Sequence, residues 1–428
     1  MYVPCLSGGP TRGTRRALYA NVKFGLVWLA LAAYCRLNFY DDPTSFFHSP
    51  ARAYETRYSR QRVQEAEEYL RALESQGQDS APSLPASATR KRLCIGVPSV
   101  NRTSESFLTH TLTTLVDKIT PEARESIHIV VLLANKSPKD HFAYGQPWLP
   151  KLADEVLVYG NPSDHRESGY RAIDYNVNGG RRGTGRVENM RLDHSVLVEA
   201  CRDSSADYFA LVEDDVVAAP NWFVKLQDGL QYVEKEAARR SVDWIYLRMF
   251  YSEIFMGWNA EEWPSYSKWI FSLYTAALVL ILAARRYANR RNTWNGAAAS
   301  NVSNNYIAAS ALVIWLPATI ALYFMAGRAS LHAMNPFRGG VREMPRYGCC
   351  AQGLVFPARQ LKGVQDLFRN PPYEFAGDQI LEGYAGNKGF SKWALDPSVL
   401  QHVGSKQSSS GQGVSEVWNF SFERQHGS

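Results

Sequence analysis

Three long apolar runs interrupt an otherwise mixed sequence. Phe24 to Cys35 reads FGLVWLALAAYC, Trp269 to Ala284 reads WIFSLYTAALVLILAA, and Ile307 to Ala326 reads IAASALVIWLPATIALYFMA. With their flanks they approach the roughly 17 to 20 residues that cross a thin bilayer, so spans are expected over residues 19–40, 269–284 and 307–326. Pro317 is tolerable inside a spanning helix. Arg36 would snorkel to an interface, and with Phe39 and Tyr40 it stands where a cleaved leader would carry small residues, which favours an uncleaved anchor. Taken singly, the second and third runs also suit buried core helices. As a pair around a short basic loop they read as a membrane hairpin. That loop carries Arg285, Arg286, Arg290 and Arg291, and the amino terminus carries Arg12, Arg15, Arg16 and Lys23. Both basic segments fall on one side, so residues 1–18 and 285–306 are expected in the cytosol, with 41–268 and 327–428 together in a lumen.

Between the spans the pattern changes to short apolar runs alternating with helical periodicity. Residues 41–91 read as a charged stem, helix-compatible over QRVQEAEEYLRALES, followed by a Ser/Pro/Ala-rich linker from Gly77 to Lys91. Strands are then expected at Arg92 to Pro98, His128 to Leu133, Glu155 to Tyr159, Tyr208 to Val212 and Asp243 to Met249. Helices are expected over Ser104 to Lys118 and Arg186 to Ser204. This cadence predicts an α/β fold with a mostly parallel sheet, and ligands outside the carboxyl ends of its strands. The catalytic domain would run over 92–268 and resume over 327–428.

Composition narrows the function classes. The chain has 428 residues, 45% hydrophobic and 21% charged, with a net charge of +6. That is a folded composition without the basic stripe a nucleic-acid partner needs, so none is expected. Six cysteines without CxxC spacing suit neither a disulfide scaffold nor a structural zinc.

The chemistry concentrates after one strand. YFALVEDDVVAAPNWF, Tyr208 to Phe223, ends its apolar run on Glu213, Asp214 and Asp215. Alone, such a triplet is often a turn or a helix-terminal charge cluster. At the carboxyl end of a central parallel strand, clustered carboxylates instead suit Mg²⁺ or Mn²⁺ with open positions for a phosphate-bearing substrate.

IGVPSVNR (Ile95 to Arg102), FLTHTLTTLVD (Phe107 to Asp117), LVEDDVVAAPNWF, CCAQGLVFPARQ (Cys349 to Gln360) and DPSVLQHVGSKQSS (Asp396 to Ser409) follow one another in this chain. In that order they resemble the branching N-acetylglucosaminyltransferases of the type IV class. The resemblance is greater to a related Golgi family that adds an N-acetylgalactosamine side branch to the first mannose of GPI anchors. It implies a GT-A type domain split by a transmembrane hairpin, an amino-terminal anchor, a UDP-sugar donor (UDP-GalNAc first) and a GPI-anchored acceptor. It also implies Asp215 as metal ligand, with Glu213 and Asp214 near the sugar and ribose or a metal-bound water. His402 would stand near the diphosphate as a second ligand, though a lone histidine serves as often in a core. Asp378 looks like the acceptor-side base, with a helix N-cap as its plainer role. Pro98, Val100, Asn101 and Arg102 fall where such a domain packs uracil and ribose. Arg186 lies in NGGRRGTGRVENMR (Asn178 to Arg191), whose four arginines suit either a phosphate-covering loop or a solvated one.

Cys94, Cys201, Cys349 and Cys350 would be lumenal and allow two bridges, with the pairing open. The sequon at Asn419 is a plausible glycan site, whereas a glycan at Asn301 would contradict the topology. The expected activity is an inverting, metal-dependent transfer of N-acetylhexosamine to a GPI glycan. Alternatives are an N-glycan branching transferase, a polytopic transporter and an inactive scaffold.

Overall fold

Continuous apolar runs such as IHIVVLL and GLVFP have no polar face to turn outward, so they form strands covered on both sides. The computed structural model describes residues 12–53, 55–75, 91–101, 107–161, 169–176, 182–295, 301–335, 340–344, 348, 350–404 and 417–425. Its strands are β1 (Leu93–Ser99), β2 (Ile127–Leu133), β3 (Glu155–Tyr159), β4 (Arg171–Ile173), β5 (Tyr208–Val212), β6 (Val216–Ala218), β7 (Trp244–Arg248), β8 (Val341–Glu343), β9 (Gly353–Pro357), β10 (Ser391–Leu395) and β11 (Leu400–His402). Nine of them form one sheet in the order β4-β3-β2-β1-β5-β9-β7-β10-β8, and β11 pairs with β6 in a separate ribbon.

The sheet is mostly parallel, as the alternation predicts: β4, β3, β2, β1 and β5 run together, and β7 runs parallel to β10. Two strands depart from that. β9 inserts antiparallel between β5 and β7, and β8 closes one edge antiparallel to β10. Both come from the part of the chain after the third apolar run, so the second part of the domain completes the sheet begun by the first. Helix Arg186–Asp203 is tied to β1 by a Cys94–Cys201 disulfide across 107 residues of sequence. Cys350 is disulfide-bonded as well; Cys349 lies outside the described residues.

The segment read as a stem contributes to this same body. In helix Tyr58–Ser75, Tyr58 packs with Val217, Ala219 and Phe422, and Arg62 is buried against Asp117 at 2.8 Å. Glu55–Phe255 and Pro336–Ser428 form one compact unit; Met1–Tyr54 and Met256–Asn335 form another.

Among the described residues three helical segments are long and apolar enough to cross a membrane, Thr14–Asn38, Glu253–Tyr287 and Asn305–Met325, and all but the first three residues of the second lie in that second unit. Polar side chains join the first to the third: Asn21 Nδ2 donates to Ser310 Oγ at 3.1 Å, Trp315 Nε1 donates to Asn21 Oδ1 at 2.8 Å, and Trp28 Nε1 donates to the Ala318 carbonyl at 2.8 Å. In a lipid setting such bonds hold helices that gain nothing from apolar burial. Proline lacks the helical N–H and crowds the preceding turn, and a π-helical turn over Ala311–Trp315 stands just before Pro317.

Candidate active site

The acidic triplet leaves the carboxyl end of β5 and leads at once into β6. Three residues make too short a strand to hold its own place. On one edge of β6, threonines of helix Leu108–Val116 stand in for a neighbouring strand: Thr111 Oγ1 bonds both the carbonyl (2.7 Å) and the N–H (3.1 Å) of Val216, and Thr114 Oγ1 accepts from the Ala218 N–H at 3.0 Å. On the other edge lies β11, antiparallel, with His402 opposite Val216. The Val403 N–H donates to the Asp215 carbonyl at 2.9 Å. This pairing sets His402 Nε2 3.2 Å from Asp215 Oδ2, across 187 residues of sequence, with the two side chains 8% and 5% exposed.

Gly404 borders that pair. A Cβ there would stand 2.8 Å from Asp215 Oδ2 and 3.1 Å from His402 Nε2, so the backbone approaches these two side chains more closely than any other residue permits. Asp215 Oδ2 and His402 Nε2 lie within hydrogen-bonding distance of each other, and a carboxylate oxygen beside an imidazole nitrogen is a donor pair that could hold a divalent ion such as Mn²⁺ or Mg²⁺. Among the described residues no three His, Cys, Asp or Glu side chains could hold a metal ion together.

Asp214 is turned toward β1. Its Oδ2 accepts from Ser99 Oγ at 2.6 Å, and Ser99 Oγ lies 3.1 Å from His141 Nε2. Because His141 Nδ1 accepts the Ala143 N–H at 3.2 Å, the neutral ring carries its proton on Nε2 and donates it to Ser99. Burial holds the His141 pKa down at about 4, so the ring stays neutral near pH 7. Beyond Ser99, Val100 is exposed, and Asn101 is fixed by Asn135 Oδ1 on its N–H and by its own Nδ2 on the Asp140 carbonyl, both at 2.9 Å. Pro98 and Glu213 are half-buried. Arg102 lies outside the described residues.

Asp378 opens the other side. It is the second residue of helix Gly377–Lys388, whose N-cap is Ala376, so the N-cap role is not its own. Asp378 Oδ2 accepts the Cys350 N–H at 3.1 Å and Oδ1 accepts the Gln379 N–H at 2.9 Å. Cys350 precedes β9 by three residues, and Gly353 at the start of β9 pairs with Val212, next to Glu213. The acid and the triplet thus share one end of the sheet. Below it, Arg248 donates to the Cys350 carbonyl and to Glu382 Oε1 (2.8 Å), and Lys392 and Tyr246 bond the same carboxylate.

The arginine-rich segment divides. Arg186, in the first turn of its helix, is exposed. Arg182 and Arg191 are buried and cover no phosphate. Arg182 pairs with Asp193 at 2.6 Å and bonds the Tyr159 hydroxyl at 2.9 Å. Arg191 donates to the carbonyls of Leu367 (2.7 Å), Asn370 (2.6 Å) and Pro372 (2.7 Å), and lies over the Tyr373 ring. A buried guanidinium with three backbone acceptors is structural, and this one fixes the loop that delivers Asp378. Arg181 lies outside the described residues. Sequence reasoning overlooked His141, Gly404 and this use of Arg191. The glycine stood in the QHVG motif, while nothing near His141 or Arg191 marked them.

Asn419 does not suit a glycan. It is fully buried, its N–H donating to Gln401 Oε1 and its carbonyl accepting from Gln401 Nε2, so an attached sugar is incompatible with this packing.

Among curated proteins, the chain is similar to alpha-1,3-mannosyl-glycoprotein 4-beta-N-acetylglucosaminyltransferase B. The mouse (Mus musculus) protein is 27% identical over 31% of this chain and 25% of its own length, and so is the human (Homo sapiens) one. The zebrafish (Danio rerio) protein is 26% identical over 34% of this chain and 27% of its own length. The chain thus matches about a quarter of those relatives. Among solved structures, the crystal structure of S. aureus TarS matches at 13% identity with a TM-score of 0.20, over 37% of this chain and 21% of that one, too little to argue from. The model of the GPI-N-acetylgalactosamine transferase PGAP4 family matches residues 93–401, which include β1, the acidic triplet, Asp378 and most of β11. The chain belongs to the GPI-N-acetylgalactosamine transferase PGAP4 family.

Proposed function

We propose that this chain is an inverting, divalent-metal-dependent transferase of GT-A type, which moves N-acetylgalactosamine from UDP-GalNAc to a mannose of a GPI-anchor glycan. The observation that carries the reading is the 3.2 Å approach of His402 to Asp215, made by the β6–β11 pairing. A bound Mn²⁺ or Mg²⁺ would supply Lewis-acid stabilisation of the departing diphosphate. Asp215 and His402 would hold that ion. Asp214, oriented by Ser99 and His141, would present its carboxylate to the donor's ribose or sugar. Pro98, Val100, Asn101, Arg102 and Arg186 would line the uridine and phosphate side.

Asp378 would take the proton of the attacking mannose hydroxyl, using a lone pair that its two backbone N–H bonds leave open. One bond forms between the acceptor oxygen and the sugar's anomeric carbon. The bond from that carbon to the phosphate oxygen breaks, and its electron pair leaves with the nucleotide. A single displacement inverts the centre.

Three apolar helices and the two basic segments support a multi-pass protein with its catalytic unit in the lumen, and the Cys94–Cys201 bridge suits an oxidising compartment such as the Golgi. The chain enters and leaves the hairpin inside the catalytic sequence, which would tether that unit to the bilayer in which a GPI lipid is also confined, raising their mutual concentration. The likeness to N-acetylglucosaminyltransferases gives a second reading, transfer of GlcNAc to an N-glycan.

Calorimetry and product analysis with a panel of UDP-sugars, with and without Mn²⁺, separate these. UDP-GalNAc with a GPI glycan is the expected productive pair; UDP-GlcNAc with an N-glycan would establish the second reading. Asp215→Ala should lose metal-dependent donor binding. Asp378→Ala should bind donor normally and transfer nothing, and normal transfer by that variant would remove it from the mechanism.

A further inference from the structure

His402 ends β11 and Asp215 immediately precedes β6, and a ribbon of two three-residue strands is too little backbone to hold two ligand atoms in place unaided. The support comes from both ends of the chain. Glu423, in the short helix Phe420–Glu423, directs Oε2 at the first turn of helix Tyr58–Ser75. It accepts the N–H groups of Arg57 (2.8 Å), Tyr58 (2.9 Å) and Ser59 (3.2 Å). A carboxylate there satisfies orphan donors and faces the positive end of the helix dipole. Its other oxygen, Oε1, accepts Gln401 Nε2 at 3.0 Å. Side chains alternate along a strand, so Gln401 faces this brace while its neighbour His402 faces Asp215. The second strand is held likewise: Arg62 of the same helix donates Nε to the Ala218 carbonyl of β6 at 2.9 Å.

On the metal reading given above, we infer that Glu423 is a positioning residue for the Asp215–His402 pair. One buried carboxylate locks the pre-catalytic helix and the carboxy-terminal segment onto the back of the ribbon. The residues around the catalytic sequence are thereby part of the metal site's support, and the site is incomplete without them.

The test uses the full chain in detergent and titrates Mn²⁺ in the presence of UDP. Glu423→Gln puts an NH₂ group among donors, and Glu423→Asp shortens the bridge by one methylene. Both should weaken Mn²⁺ binding roughly tenfold or more, as loss of supporting contacts does at other metal sites. Arg359→Ala, which removes exposed ion pairs to Glu234 and Asp243, should lower thermal stability and leave Mn²⁺ affinity unchanged. A second measurement needs no variant. Coupling is reciprocal, so Mn²⁺ with UDP should slow hydrogen exchange at the amides of Arg57, Tyr58 and Ser59 in the wild type. Wild-type Mn²⁺ affinity in Glu423→Gln, or exchange at those amides indifferent to Mn²⁺ and UDP, overturns the inference. Wild-type affinity in Asp215→Ala overturns the metal reading instead.

Discussion

Arg191 donates to the main-chain carbonyl of Asn370 at 2.6 Å, joining helix Arg186–Asp203 to the loop that leads into Asp378, the proposed acceptor-side base. Two more carbonyls, of Leu367 and Pro372, take the same guanidinium. Arg191→Ala should cost about 3 kcal/mol of stability, because it strands buried acceptors. A misplaced acid should lower kcat roughly 100-fold while UDP-sugar affinity stays near wild type. Lysine has one donor group where the fork is required, so Arg191→Lys should rescue poorly. Thermal unfolding and a kcat-against-KM comparison check both effects.

Gly404→Ala adds a single methyl group at the ligand pair. Its Cβ would lie 2.8 Å from Asp215 Oδ2, inside the sum of van der Waals radii, so the ribbon must shift. We expect Mn²⁺ affinity to fall by roughly an order of magnitude or more, with little change in unfolding temperature. Manganese binding followed by electron paramagnetic resonance reads the change directly.

Two buried histidines should make the domain acid-sensitive. Burial lowers His141 and His194 from 6.5 to about 4. As pH falls below about 6.5 the unfolded chain takes up these protons and the folded one does not. Their stabilisation is therefore complete above that pH and is lost progressively towards about 4, on the order of 3 kcal/mol for each. His141→Gln and His194→Gln should each flatten the pH dependence of stability by about one proton in that window, as denaturant melts at a series of pH values would show.

The buried sequon predicts an absence of sugar. Asn419→Gln should leave electrophoretic mobility, and its response to an N-glycanase, unchanged. A shift lost only in that variant would show that residues 417–425 pack differently from the arrangement here.

Much of the architecture was legible from periodicity. The strands at β1, β2, β3, β5 and β7 and the helix from Arg186 lie within a residue or two of where apolar runs and turn residues put them, because a strand buried on both faces leaves a run with no polar alternative. β9 was different. GLVFP was not among the expected strands, and nothing local states that it runs antiparallel between two strands from the other side of the hairpin. The helix at Tyr58 and the segment at Phe420 looked peripheral because their surface pattern is charged. What joins them to the domain is the packing of Tyr58 on Phe422, Val217 and Ala219 together with the buried polar contacts of Arg62 and Glu423, and contacts between segments so far apart in the chain leave no local signature.

The candidate site divides along the same line. The acidic triplet after β5 and the apolar runs follow from the chain itself, since charge after an apolar run and long uncharged stretches each constrain their own surroundings. The pairing of Asp215 with His402, the orientation of Asp214 by Ser99 and His141, and the clamp of Arg191 on the Asp378 loop were decided by tertiary structure alone. Each joins residues between 42 and 187 positions apart, and a contact at that range is set by strand order and helix packing, which no window of sequence encodes.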